Sequence, residues 1–94
     1  MKVINWSEEK NEWLKKERGI SFEDVVFEII NDNILGVSNH PNQEKYPNQK
    51  IYSILINEYV YLVPYVENEL EIFLKTIIPS RKDTKKYKTH ETNR

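Results

Sequence analysis

The sequence predicts an α+β domain, and three observations carry that prediction. Apolar residues recur at helical spacing up to about residue 31, β-rich runs replace them from residue 34, and the chain closes on a lysine-rich segment. Ninety-four residues with 38% apolar content are enough for one domain, spanning 1–94, around one modest core. Two Trp, three Phe and six Tyr supply much of its buried area.

Ser7 is a good helix N-cap, with Glu8 and Glu9 in the first turn and Lys15 and Lys16 near the end, the order that the helix dipole favours. The first helix therefore runs from about Glu8 to Glu17 and stops at Gly19, with Trp13 and Leu14 facing the core and Trp6 packing from just outside. Ser21 caps again, and Asp24 three residues on completes a relative of the capping box. Phe22, Val25, Val26, Ile29 and Ile30 share one face, so a second helix runs from about Phe22 to Asn31 and makes a helical hairpin with the first.

From there the period changes. Ile34–Ser38 is a short strand, and 39–49 is a polar loop carrying Pro41 and Pro47. Lys50–Ile56, Tyr59–Val66 and Leu70–Ile78 are three β-rich runs joined by two or three residues, which is the signature of an antiparallel meander. Pro64 cannot donate to a ladder, so an edge or a bulge is expected there. On alternation, Leu74, Thr76 and Ile78 share one face of the last run, and Lys75, Ile77 and Pro79 the other. A last, basic helix covers Ser80 to about Thr89. The expected architecture is two N-terminal helices, an antiparallel sheet of about four strands and a basic C-terminal helix.

Charge is distributed unevenly along the chain. From Lys75 onward there are seven Lys or Arg against Asp83 and Glu91, a local +5; since the whole chain is −1, the remainder sums to −6. Clustered Lys and Arg attract phosphate backbones, although the same residues also suit a solvated helix end. The absence of cysteine excludes disulfides and thiolate metal sites and fits a reducing, cytoplasmic location. His40 and His90 lie far apart in polar surroundings, so neither a metal nor another cofactor is expected. No run is long and apolar enough for export or for spanning a membrane, so no membrane association is expected either.

Two stretches carry a family resemblance. Trp6-Ser7-Glu8-Glu9-Lys10, followed by Arg18-Gly19-Ile20-Ser21-Phe22-Glu23, resembles the BrnT toxin pattern Trp-Asp-x-x-Lys and then His-Gly-Val/Ile-Ser-Phe-Glu. Ile77-Ile78-Pro79-Ser80-Arg81-Lys82-Asp83-Thr84-Lys85-Lys86-Tyr87 is similar to that family's Ile-Ile-Ser-Ala-Arg-Lys-Ala-Thr-Arg-Arg run. The matched pieces cover about a third of the chain, in the right order. The resemblance implies a RelE-like ribonuclease fold acting as the toxin of a type II toxin–antitoxin pair, with RNA as substrate. It also implies a ribbon-helix-helix antitoxin as partner, through which any contact with DNA would be indirect. Leu14 stands where the family has Asn, Arg18 where it has His, and Thr76 where it has Arg. The family's strand histidine falls near Pro64 or Tyr65. These departures leave an alternative open: a catalytically weak or inactive interaction module that binds an antitoxin-like partner.

Metal-free RNA cleavage needs the 2′-hydroxyl in line with the phosphate, positive charge on the developing oxyanions, and a proton for the leaving oxygen. Arg81, at a strand end, is the first candidate for the charge role, because a guanidinium grips phosphate oxygens in bidentate fashion. Lys75 is the second candidate, and Tyr65 the candidate for proton transfer or base stacking. Lys82, Lys85 and Lys86 would hold the RNA backbone without reading its sequence, with Tyr87 as a stacking or proton-donating partner. Lys10, which matches the family's lysine, joins the RNA-binding set through the resemblance. Each has a plainer reading as well: an ion pair for Arg81, a solvated surface for the lysines, and packing for the tyrosines.

Overall fold

A computed structural model describes residues 2–92, with side chains to residue 89. The element order is β1 (Val3–Trp6), α1 (Glu8–Arg18), α2 (Phe22–Ile30), β2 (Ile34–Asn39), β3 (Gln49–Ile56), β4 (Tyr59–Glu67), β5 (Glu71–Leu74), β6 (Ile78–Pro79) and α3 (Arg81–Thr92). The fold is α+β. The strands form one six-stranded sheet in the order β1-β5-β4-β3-β2, with β6 pairing β4.

Local chemistry accounts for the helical hairpin. Ser7 accepts from the Lys10 amide, Gly19 takes the left-handed conformation (φ 64°) that closes α1, and Ser21 and Asp24 form a full capping box at α2. The hairpin packs on one face of the sheet. Leu14, Ile20, Phe22 and Val25 meet Tyr52, Ile54, Val63, Tyr65, Leu74 and Ile77 in a single core cluster. Asn11, fully buried, joins the two helices: its Oδ1 accepts from the Phe22 amide and its Nδ2 donates to the Glu23 carboxylate, both at 2.8 Å. A buried amide with both ends partnered avoids the desolvation cost of a bare polar group.

The sheet departs from the expected four-strand antiparallel meander in three ways. Residues Val3–Trp6 form a strand, β1, which runs parallel to β5; the four-residue segment is too short to show a period. The last run is not continuous: β5 ends at Leu74, the chain leaves the sheet at 75–77, and β6 begins at Ile78. The alternation expected across Leu74–Pro79 therefore fails, and Leu74 and Ile77 both point into the core. Pro64, finally, lies at neither an edge nor a bulge. It sits within β4, in the middle of the sheet, opposite Ile51 of β3. On its other side β5 pairs only with Tyr65–Glu67 and β6 only with Tyr61–Leu62, and the Pro64 carbonyl accepts from the Lys75 amide at 2.8 Å. The missing N–H thus falls in the gap between β5 and β6, where no ladder bond is lost.

Trp13 also corrects the expectation. Leu14 is buried, but Trp13 lies on the outer side of α1 and is 43% exposed. One helical step of 100° separates the two side chains, and the neighbouring turns of α1 turn Asn11 and Leu14 inward together.

Candidate nucleic-acid interface

The basic helix is fixed to the sheet by its first turn. Ser80 N–H donates to the Val60 carbonyl at 2.9 Å, and Val60 N–H donates to Thr84 Oγ1 at 2.8 Å. Thr84 Oγ1 in turn donates to the Ser80 carbonyl at 2.7 Å. Ser80 Oγ accepts from the Asp83 amide and donates to its carboxylate, which caps the helix. Thr84 is only 5% exposed. Arg81 therefore stands, exposed, between two anchored residues at the start of α3, so its backbone position is set by β4.

With Thr84 against the sheet, helical geometry sorts the other side chains. Arg81, Lys85 and Lys88 follow at i, i+4 and i+7 along one flank. Lys82 and Lys86 project away from the sheet, and Asp83 and Tyr87 line the opposite flank. The exposures agree: Arg81, Lys82, Lys85, Lys86 and Lys88 are exposed, while Asp83 and Tyr87 are half-buried. Asp83, Lys86 and Tyr87 border a groove of about 350 Å³ whose other side is Leu35, Gly36, Ser53 and Val60. Ser53 alternates with the core residues Tyr52 and Ile54, so this groove opens on the sheet face opposite the helical hairpin. The lysines expected to act together thus divide between an outer surface and a groove rim. The side chains of His90, Glu91 and Arg94 lie outside the described residues.

The remaining candidates are more scattered. Lys75 is exposed, in the break after β5, with its ammonium 5.7 Å from the centre of the Phe73 ring. Tyr65 is only 3% exposed and stacks on Tyr52 with ring centres 4.0 Å apart. Burial, aided by Tyr52 and Glu67, pushes its phenol well above the ordinary value of 10, so it stays neutral and packed at physiological pH. A side chain sealed in this way reaches no RNA, and Tyr65 is a core residue by its geometry. Tyr87 is the phenol that α3 carries to the surface.

Lys10 does not lie beside the α3 lysines. It belongs to a group on α1, with its ammonium 4.4 Å from the centre of the Trp13 ring and the Arg18 guanidinium 5.1 Å from it. The same guanidinium donates to the Ile77 carbonyl, linking the end of α1 to the segment that leads into β6 and Arg81. Sequence reading missed Trp13 as a surface residue, yet a signal was available: Glu9 and Glu17 stand at i−4 and i+4 from it, which marks a solvent-facing stripe. The bond of Arg18 to Ile77 had no such signal, because the two residues meet only through the fold.

Among the described residues no cluster of His, Asp and Glu could hold a metal ion, and no helix is long and apolar enough to cross a membrane. Comparison with family models, with curated proteins and with solved structures returns no match.

Proposed function

We propose that this chain is a BrnT-like toxin of RelE-like fold, a cytoplasmic, metal-independent ribonuclease that cuts RNA, inhibits translation and is neutralised by a small ribbon-helix-helix antitoxin. The observation that carries the reading is Arg81, exposed and held between Ser80 and Thr84, whose hydrogen bonds to Val60 fix the start of the basic helix. A guanidinium carried on an anchored backbone can grip a phosphate in bidentate fashion and stabilise the charge that grows as the 2′-oxygen attacks phosphorus. Lys82 and Lys85 add sequence-independent attraction for the backbone. Tyr87, half-buried on the groove flank of α3, is the phenol assigned to protonating the leaving 5′-oxygen or stacking a base, and Tyr65 takes no part. With no imidazole in the sheet, charge stabilisation and orientation supply most of the rate, and slow turnover follows.

A second reading, the interaction module without catalysis, is favoured by a different surface. Phe27 and Ile30 on α2 are 63% and 73% exposed, beside an apolar groove of about 580 Å³ between α2 and the β1–β5 edge. Exposed apolar patches of this kind mark contact surfaces.

One experiment separates the two. The chain is expressed from an inducible promoter in a bacterial host, RNA is recovered and its new ends are mapped, with Arg81→Ala compared at equal protein level. The toxin reading expects growth arrest and RNA ends that disappear in the variant, and purified protein that cuts RNA equally well in EDTA. Growth arrest without new RNA ends supports the interaction module instead, whereas cleavage unaffected by Arg81→Ala removes Arg81 from the catalytic role.

A further inference from the structure

We propose that the exposed ring of Trp13, with Lys10 and Arg18 held against it, is a base-stacking platform for single-stranded RNA, a binding site separate from the basic helix. The inference deepens the ribonuclease reading and rests on it for the identity of the ligand. Three features of α1 carry it. A tryptophan at the surface of a helix leaves apolar area in water, and 43% of Trp13 is exposed although an inward-facing position lies one step away at Leu14. Two cations from different turns converge on that ring, at 4.4 Å for Lys10 Nζ and 5.1 Å for Arg18 Cζ. A partly exposed ring between two positive charges is the combination that binds single strands: a base stacks by displacing a cation from the ring, and that cation then meets a flanking phosphate.

The third feature is position. Arg18 also donates to the Ile77 carbonyl, so the platform adjoins the chain that continues into β6 and α3. Arg81 is four residues beyond Ile77, and a fully extended chain of that length spans at most about 14 Å. The platform and the start of the basic helix are thus within a few nucleotides of one another. They approach from opposite faces of the sheet, and a strand joining them passes around its end. Glu9 and Glu17, at i−4 and i+4 from Trp13, offset much of the positive charge that Lys10, Lys16 and Arg18 place around it. Stacking is therefore the larger contribution at this site, in contrast to the electrostatic surface of α3.

The chain has two tryptophans, so a Trp6→Phe background leaves Trp13 as the reporter. The probe is a 2′-O-methyl oligonucleotide of about ten residues, a length within the site sizes of such proteins and without the 2′-hydroxyl needed for cleavage. The expected results are saturable quenching of Trp13 emission and, by anisotropy of a labelled probe, a roughly 5- to 150-fold weaker affinity for Trp13→Ala, with Trp13→Phe much closer to the parent. Lys10→Gln should lower the log–log salt slope by about 0.7 units, the single-strand value for one phosphate contact. Thermal melts confirm that each variant is folded. Wild-type affinity for folded Trp13→Ala, binding without quenching, or no binding of the probe at low salt each overturns the platform, and the last leaves a protein partner as the occupant of this face. If Arg81→Ala abolishes RNA cleavage while Trp13→Ala binds normally, the platform fails and the ribonuclease stands. If quenching and the weaker binding of Trp13→Ala are seen with no cleavage by the unmodified chain, the platform stands and the ribonuclease fails.

Discussion

Thr84→Val tests whether the anchor under α3 is what positions Arg81. The substitution replaces a hydroxyl by a methyl of similar size, so packing against β4 is nearly preserved while two hydrogen bonds disappear. The Ser80 carbonyl still accepts from the Thr84 backbone amide at 3.0 Å and loses little. Val60 N–H is different: its bond to Thr84 Oγ1 is buried, and the new methyl leaves that donor without a partner. An orphaned buried amide costs about 1–3 kcal/mol, and for a domain of this size each kcal/mol lowers the melting temperature by about 4–8 °C. A fall of about 5–20 °C is expected. Thr84→Ser is the control: it keeps the hydroxyl and loses one methyl, for about 0.8 kcal/mol or a little more. Thermal melts rank the three proteins, and RNA cleavage well below the lower melting point shows the functional effect. If the anchor positions Arg81, Thr84→Val loses activity while folded and Thr84→Ser largely retains it. A Val variant as stable and active as the parent would refute the reasoning, because the buried bond would then have no role in holding the helix.

Other outcomes follow from the same geometry. Replacing Lys82, Lys85 and Lys86 together by Gln should weaken RNA binding and flatten its salt dependence by about 0.7 units of log–log slope for each phosphate no longer neutralised, without changing the cleavage sites; a titration series in NaCl with end mapping checks both. Tyr65→Phe should leave stability within about 1 kcal/mol and cleavage unchanged, since the phenol is packed on Tyr52 and stays protonated; a large drop in kcat alone would return Tyr65 to the catalytic set. The Glu67 carboxyl is held below its ordinary value of 4.5, first by the hydrogen bond from Lys2 at 2.7 Å and then by the charges of Lys2 and Lys50. Because the folded state favours its ionised form, the contribution is complete above the ordinary carboxylate range and vanishes as pH falls through the lowered value. Lys2→Met should therefore destabilise by no more than about 1 kcal/mol at pH 7, and the difference should shrink as pH falls below the ordinary carboxylate range, as read from urea midpoints across an acid pH series.

How much of this was legible in the sequence depends on the range over which each signal acts. Caps and turns are local chemistry, so Ser7, Gly19, Ser21 and Asp24 placed both helices of the hairpin to within a residue of their observed ends. The change of period at residue 34 likewise marked β2, β3 and β4, because alternation is written residue by residue. The basic character of α3 is a property of composition, and Arg81, Lys82, Lys85, Lys86 and Lys88 are exposed as expected. What the sequence could not decide were the events that join distant segments. The strand Val3–Trp6 exists because Glu71–Leu74 lies beside it, about 68 residues away, and a parallel pair needs its partner brought round by the fold. Pro64 is admissible in a central strand only because β5 and β6 stop on either side of it. Tyr65 reads as either a catalytic or a packing phenol until its burial against Tyr52 decides for packing, and Trp13 reads as core until packing chooses Leu14 instead. The sequence thus determined the helical hairpin, β2 to β4 and the basic last helix, since those follow from local geometry and composition. Only the tertiary structure decided which side chains are sealed, which cations share a ring, and that Arg81 stands on a helix held by Val60, because those depend on contacts made across the whole length of the chain.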